Sequence, residues 1–195
     1  MAGTAFDKPP ETAAWRHLDA RDGFEVLQVS SLRDGWRLHG TTAAVEDGVA
    51  WAVRYVIQVD ERWRTRTARI SHLLDGGPGE VTLEQADGRW LVNGRPDPGL
   101  DGCLDVDLES SAMTNALPVH RLGLAEGAAA DAPAVYVRAA DLAVGRLEQT
   151  YARVAGGPGR QRYDYAAPAF GFTALLVYDG SGFVVDYPGL AVRCA

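Results

Sequence analysis

Cysteine is scarce in this 195-residue chain, and that scarcity excludes whole classes of fold. Cys103 and Cys194 are too few and too far apart to form a disulfide framework or a zinc site. Histidine is also sparse. His17, His39, His72 and His120 are scattered with no HxH or HExxH spacing, so no metal site is expected. The paired acids Asp105 and Asp107 supply too few ligands to hold calcium or magnesium alone. No window approaches the 18 apolar residues of a membrane-spanning helix, so integral membrane association is not expected. The N-terminal stretch lacks a basic segment followed by an apolar run, which makes the cytoplasm the expected location. Lysine is almost missing: Lys8 is the only one, and the other cations are arginines. A net charge of -7 argues against nucleic acid as the main partner. No glycine-rich phosphate cradle is present, because neither GGPG segment is followed by a lysine and a helix, and no cofactor is expected.

What the chain does have is short alternating runs punctuated by glycine turns. Gly35 to Gly40, Val49 to Val59, Glu80 to Glu84, Trp90 to Val92, Ala134 to Arg138, Phe172 to Tyr178 and Phe183 to Tyr187 read as strands. Asp87-Gly88-Arg89 and Asp179-Gly180-Ser181-Gly182 read as hairpin turns, and Gly76-Gly77-Pro78-Gly79 as a longer loop. Helical periodicity is scarce, with Leu142 to Val154 the one helical candidate. This spacing predicts an all-β protein, one many-stranded antiparallel sheet curled into a roll or open barrel. Residues 1–195 read as a single domain, with 1–12 as a loose N-terminal arm.

The segment Gly102 to Leu122 is the densest in chemistry. Asp105 and Asp107 alternate with Leu104, Val106 and Leu108, so both carboxylates lie on one strand face. A polar turn with Ser110, Ser111, Thr114 and Asn115 follows, and a second strand is expected from Leu117 toward Arg121. Upstream, Asp60, Arg62, Arg64 and Arg66 share a face if their strand stays regular. Two arrangements are open: a charge ladder in which Arg62 and its neighbours bridge Asp105 and Asp107, or a solvated arginine face. Tyr151, Tyr163 and Tyr165, interleaved with Arg153, Arg160 and Arg162, form either a sugar- or phosphate-binding surface or a strand with its rings against the core.

Three blocks carry a family resemblance: Tyr55 to Arg66 with D-x-x-W-x-T-R, Gly102 to Leu122 with GCxDVDL and TN-x-LP-x-x-RL, and Asp179 to Gly189 with DGSGFVVDYPG. In these, with the early Trp15-Arg16, the chain resembles a bacterial family named for glycolipid binding, formerly a domain of unknown function. The resemblance implies a spirally rolled β-sheet similar to the open barrels of periplasmic lipoprotein carriers. It also implies a non-catalytic role in binding an amphiphilic small molecule. Two departures stand out: Glu109 to Met113 where the family has a more apolar run, and His120 where an arginine is common. On this reading the hollow of the roll takes the acyl part of the ligand. Arg64, Arg66, Asn115, Arg121 and Tyr165 contact its head-group. Asp105, Asp107 and Arg62 are structural. Two rivals stay open: an enzyme on a lipid or sugar intermediate using Asp105, Asp107 or His120, and a partner-binding module whose roll is filled by side chains.

Overall fold

A computed structural model describes residues 6–19, 21–74, 77–86 and 88–195. The chain folds into one 14-stranded antiparallel sheet and a separate three-stranded sheet. The first half of the large sheet is a plain meander. β1 (Thr12–His17), β2 (Asp22–Leu32), β3 (Gly35–Glu46), β4 (Val49–Asp60), β5 (Thr65–Leu74), β6 (Gly77–Ala86), β7 (Arg89–Val92) and β8 (Arg95–Pro96) each pair with the next. Strict alternation drives this half: β4 buries Trp51, Val53, Tyr55, Ile57 and Val59 and turns the residues between them outward. Asp47 and Gly48, both at positive φ, make the two-residue turn joining β3 to β4 in register.

The second half of the chain extends the same sheet from its other side. The order runs β10 (Ala129–Asp131), β13 (Thr150–Val154), β14 (Gln161–Ala167), β15 (Phe172–Tyr178), β16 (Val184–Tyr187) and β17 (Ala191–Arg193), which then pairs with β1. The sheet does not close, and β8 and β10 are its edges. The small sheet holds β9 (Asp105–Leu108), β11 (Ala134–Val137) and β12 (Val144–Leu147), with β9 and β11 parallel.

The most consequential element lies between these sheets. After β9 the chain forms a 3-10 turn, Met113–Asn115, and then helix α1, Ala116–Leu122. The expected second strand from Leu117 is therefore a short helix. Its Pro118 falls in the first turn, where no intrahelical amide bond is lost, and Gly123 at φ 52° ends it. Every residue from Ser110 to Val119 is buried. Large-sheet side chains reach in to hold this plug: Thr42 Oγ1 donates to the Ser110 carbonyl (2.7 Å) and the Tyr178 hydroxyl to the Asn115 carbonyl (3.2 Å), while ahead of β9 Trp90 Nε1 donates to the Cys103 carbonyl (3.0 Å). The inside of the roll is thus occupied largely by the chain's own segment.

Several sequence expectations need correction. Leu142 to Val154 is not helical but contains β12 and β13, because each finds a ladder partner, in β11 and β14. Gly77 to Gly79 opens β6 and is not loop, while Gly76 lies outside the described residues. The β6–β7 hairpin forms with Gly88 at positive φ, and Asp87 lies outside the described residues. Of the expected loose arm, residues 1–5 lie outside the description, but Asp7 N–H donates to the Gly180 carbonyl (2.9 Å) and Phe6 packs on His120. Among the described residues, no helix is long and apolar enough to cross a membrane.

Candidate functional site: a polar and aromatic cavity beside the plug

One inward-facing carboxylate explains how the plug is seated. Glu25 on β2 is fully buried, yet among the described residues no cation pairs with it. Its Oε1 accepts from the Tyr55 hydroxyl (2.6 Å) and from Ser111 Oγ, and its Oε2 from the Ala112 amide (2.8 Å). Burial pushes the Glu25 carboxyl up despite these bonds. Tyr55 itself needs Gly40 opposite it on β3, since a Cβ there would lie 2.2 Å from the ring. Glu25, Tyr55 and Gly40 thus fix the turn carrying Ser111 and Ala112.

That turn forms one wall of a cavity of about 270 Å³. The opposite walls come from β14 to β17 and from the end of β1. Asp107, Glu109, Asn115 and Tyr136, the register neighbour of Asp107 on β11, line it together with Tyr165, Phe170, Phe172 and Tyr187, with His17 and Arg21 beside them. The Arg21 guanidinium lies 5.1 Å over the Trp51 ring and 3.6 Å from the Glu46 carboxylate. Asp107 accepts from Thr114 Oγ1 (2.8 Å) and from the Gln149 amide. Burial outweighs those bonds and pushes its carboxyl up to about 6, aided by the neighbouring Asp105 and Glu109 carboxylates. Glu109 accepts from the Ala139 amide (2.7 Å). The phenols of Tyr136, Tyr165 and Tyr187 are all pushed up by burial. The cavity therefore presents hydrogen-bonding groups of both kinds among aromatic rings.

Of the site residues expected from sequence, the cavity walls bring together Asn115, Tyr165 and Asp107, the last expected as structural or, in the rival reading, as an acid or base. Asn115 Oδ1 accepts from the Tyr151 hydroxyl (2.9 Å), and Tyr165 meets Tyr187 edge-on at 6.2 Å. Arg64, Arg66 and Arg121 lie elsewhere. The strand carrying the arginine row stops at Asp60, whose Oδ1 accepts the amides of Arg62 and Arg64 (both 2.9 Å), while Arg66 Nη2 pairs with its Oδ2 (2.7 Å). Trp63 takes a positive φ of 61° in this turn, stabilised by stacking on His120 at 3.7 Å between ring centres.

The expected charge ladder is corrected accordingly. Arg62 is exposed in the turn, and Asp105 is instead held by Arg121, whose Nε and Nη2 reach both carboxylate oxygens at 2.6–3.0 Å. Among the described residues no arginine pairs with Asp107, which accepts instead from Thr114 and Gln149. His120, one of the candidate acid–base residues, sits between Trp63 and Phe6 and does not line the cavity. The tyrosine–arginine surface does not form either. Tyr151, Tyr163 and Tyr165 are buried, whereas Arg160 and Arg162 point outward. Cys103 is buried and Cys194 exposed, and both are free thiols.

Sequence reasoning missed His17, Arg21, Glu109, Tyr136, Phe170, Phe172 and Tyr187 as cavity residues. One usable signal was Pro168-Ala169-Phe170-Gly171-Phe172, two rings around a turn glycine between strands. The others come from four separate chain regions and carry no shared spacing.

A family described as "Putative glycolipid-binding" matches residues 12–193. The chain belongs to this family. A crystal structure of a DUF1089 family protein from Pseudomonas aeruginosa is similar, at 29% identity and a TM-score of 0.73, covering 100% of this chain and 97% of that one. A beta-barrel-like DUF1849 protein from Brucella abortus aligns at 13% identity and a TM-score of 0.45, over 97% of this chain and 96% of that one. No curated protein matches the chain.

Proposed function

We propose that the protein binds an amphiphile of the glycolipid class without transforming it, and that the cavity takes the sugar-bearing end. One observation carries this reading: two carboxylates and an amide line a single hollow together with five aromatic side chains. Seating an alkyl chain there would strip water from the exposed Glu109 carboxylate with nothing returned. Sugar hydroxyls donate to the remaining lone pairs of Glu109 and Asp107, and aromatic rings pack against the apolar faces of a sugar. The volume supports the same assignment. About 270 Å³ lies just below the usual range of small-molecule sites. A head-group fits that space and paired acyl chains do not, so the acyl part lies outside the cavity. The family description supports the ligand class. In this reading the protein is a cytoplasmic carrier, with Asn115 and Tyr165 as head-group contacts and Arg64, Arg66 and Arg121 structural.

Calorimetric titration with n-octyl β-D-glucoside below its micelle concentration, with n-octanol as control, tests the reading. A bound head-group of roughly 12–20 non-hydrogen atoms at about 0.3 kcal/mol each gives a Kd between about 40 µM and a few mM. Binding of octanol as strong as that of the glucoside, or no heat with either, rejects it.

A further inference from the structure

His17 is the last residue of β1, and the alternation of that strand turns it inward with Ala13 and Trp15. It pairs with Ala191 on β17, and both residues line the cavity. Its residue exposure is 8%. Its Nε2 is buried and has no hydrogen-bond partner among the described residues. Most buried polar atoms in folded proteins are paired, so an exception on a cavity wall is informative. No described residue uses the bonding capacity of this nitrogen, and its ring belongs to the cavity wall.

We propose that His17 is a specificity contact of the cavity, its Nε2 hydrogen-bonding a hydroxyl of an uncharged polyol head-group. This rests on the reading of the cavity as the binding site and narrows its ligand. A neutral imidazole has one donor and one acceptor nitrogen, and a hydroxyl is both, so a hydroxyl satisfies Nε2 in either tautomer. Burial and the nearby Arg21 keep the ring neutral, lowering its pKa to about 4 against a weaker opposing contact with the Leu190 carbonyl. A phosphate or carboxylate only accepts, and it would enter a hollow already holding Asp107 and Glu109. An alkylammonium only donates, so it satisfies Nε2 in one tautomer alone. An uncharged polyol satisfies it in both and brings no charge into the hollow.

The experiment compares the full-length protein with His17→Phe, which keeps a ring but no nitrogen, and His17→Gln, whose amide reaches the position of Nε2. The probes are n-octyl β-D-glucoside, n-octyl phosphate and n-octylamine at pH 7, by calorimetry, with thermal melts checking the fold. Wild type is expected to prefer the glucoside. His17→Phe should bind it about tenfold more weakly, and His17→Gln within about threefold of wild type. Nitrogen NMR of the wild-type ring supplies a readout that needs no variant: the Nε2 resonance should move when the glucoside is added. Wild-type affinity in a folded His17→Phe, or an unmoved Nε2 resonance at saturation, overturns the role of His17 while leaving the cavity reading standing. Preference for the phosphate or the amine overturns the ligand class. Failure of wild type to bind the glucoside at all overturns the cavity reading and this inference with it.

Discussion

Replacing Asp107 with asparagine should make the protein more stable relative to wild type as pH rises. The carboxyl titrates near 3.8 when solvated and near 6 in the fold, because burial penalises its charge more than Thr114 and Gln149 stabilise it. The native state therefore binds the proton more tightly than the unfolded chain. The stabilising contribution is complete below about pH 3.8 and is lost as pH rises through about 6. A shift of about 2 pKa units corresponds to about 3 kcal/mol over the whole range, of which about 1.4 kcal/mol is lost between pH 5 and pH 8. Asparagine removes the titration and keeps the shape. Its amide can face Thr114, whose hydroxyl can turn toward the Ser111 carbonyl 3.1 Å away, while its oxygen still accepts from Gln149. Any fixed cost of that rearrangement is independent of pH and cancels in the comparison. Urea unfolding of both proteins at pH 5, 6.5 and 8 measures the difference. With a slope of about 2 kcal/mol/M, the gap between their midpoints should widen by about 0.7 M across the series. A gap constant to within about 0.2 M would refute the claim that the cavity carboxylate is desolvated in the fold.

Other perturbations test how the plug is held. Asp105→Ala leaves the guanidinium of Arg121 without its carboxylate at a site 1% exposed on the acid side, and should cost about 3–5 kcal/mol in urea unfolding. A loss below about 1 kcal/mol would show that the pair is effectively solvated. Gly40→Ala drives a methyl group into the Tyr55 ring, which Glu25 pins in place, and should lower stability by about 1–3 kcal/mol. Pairing it with Tyr55→Ala should remove most of the added cost, and full additivity would contradict the clash. Trp63→Ala removes the ring stacked on His120 and should lift the His120 pKa from about 4 toward its ordinary value by admitting water, as read by proton NMR titration.

The meander was legible because local periodicity and turn chemistry agree in it. Val49 to Val59 alternates cleanly, and the DGSG turn places its two flanking strands side by side, so their pairing follows from the chain itself. The plug was not legible for a related reason. Met113 to Leu122 is short, carries a proline, and follows a strand with strict alternation, so nothing local marks the change to helix. Burial inside the roll decides its structure, and the groups that hold it there, Glu25, Thr42 and Tyr178, are all remote in sequence. The arginine row misled because it assumed an unbroken strand. Asp60 caps a turn instead, with both amides bound to its carboxylate, and Trp63 adopts a backbone conformation that few non-glycine residues take. The site was half legible. Asn115 and Tyr165 lie in motif-bearing segments, but His17, Arg21 and Tyr187 meet only because β17 closes against β1.

A crystal structure of the protein with n-octyl β-D-glucoside bound is the most direct measurement of the central claim. The account predicts the sugar ring in the cavity, within hydrogen-bond distance of Asp107 or Asn115 and packed against Tyr165 or Tyr187, with the octyl chain leading outward. A sugar bound on the outer face of the sheet, or an octyl chain buried in the cavity with its sugar in solvent, would contradict it.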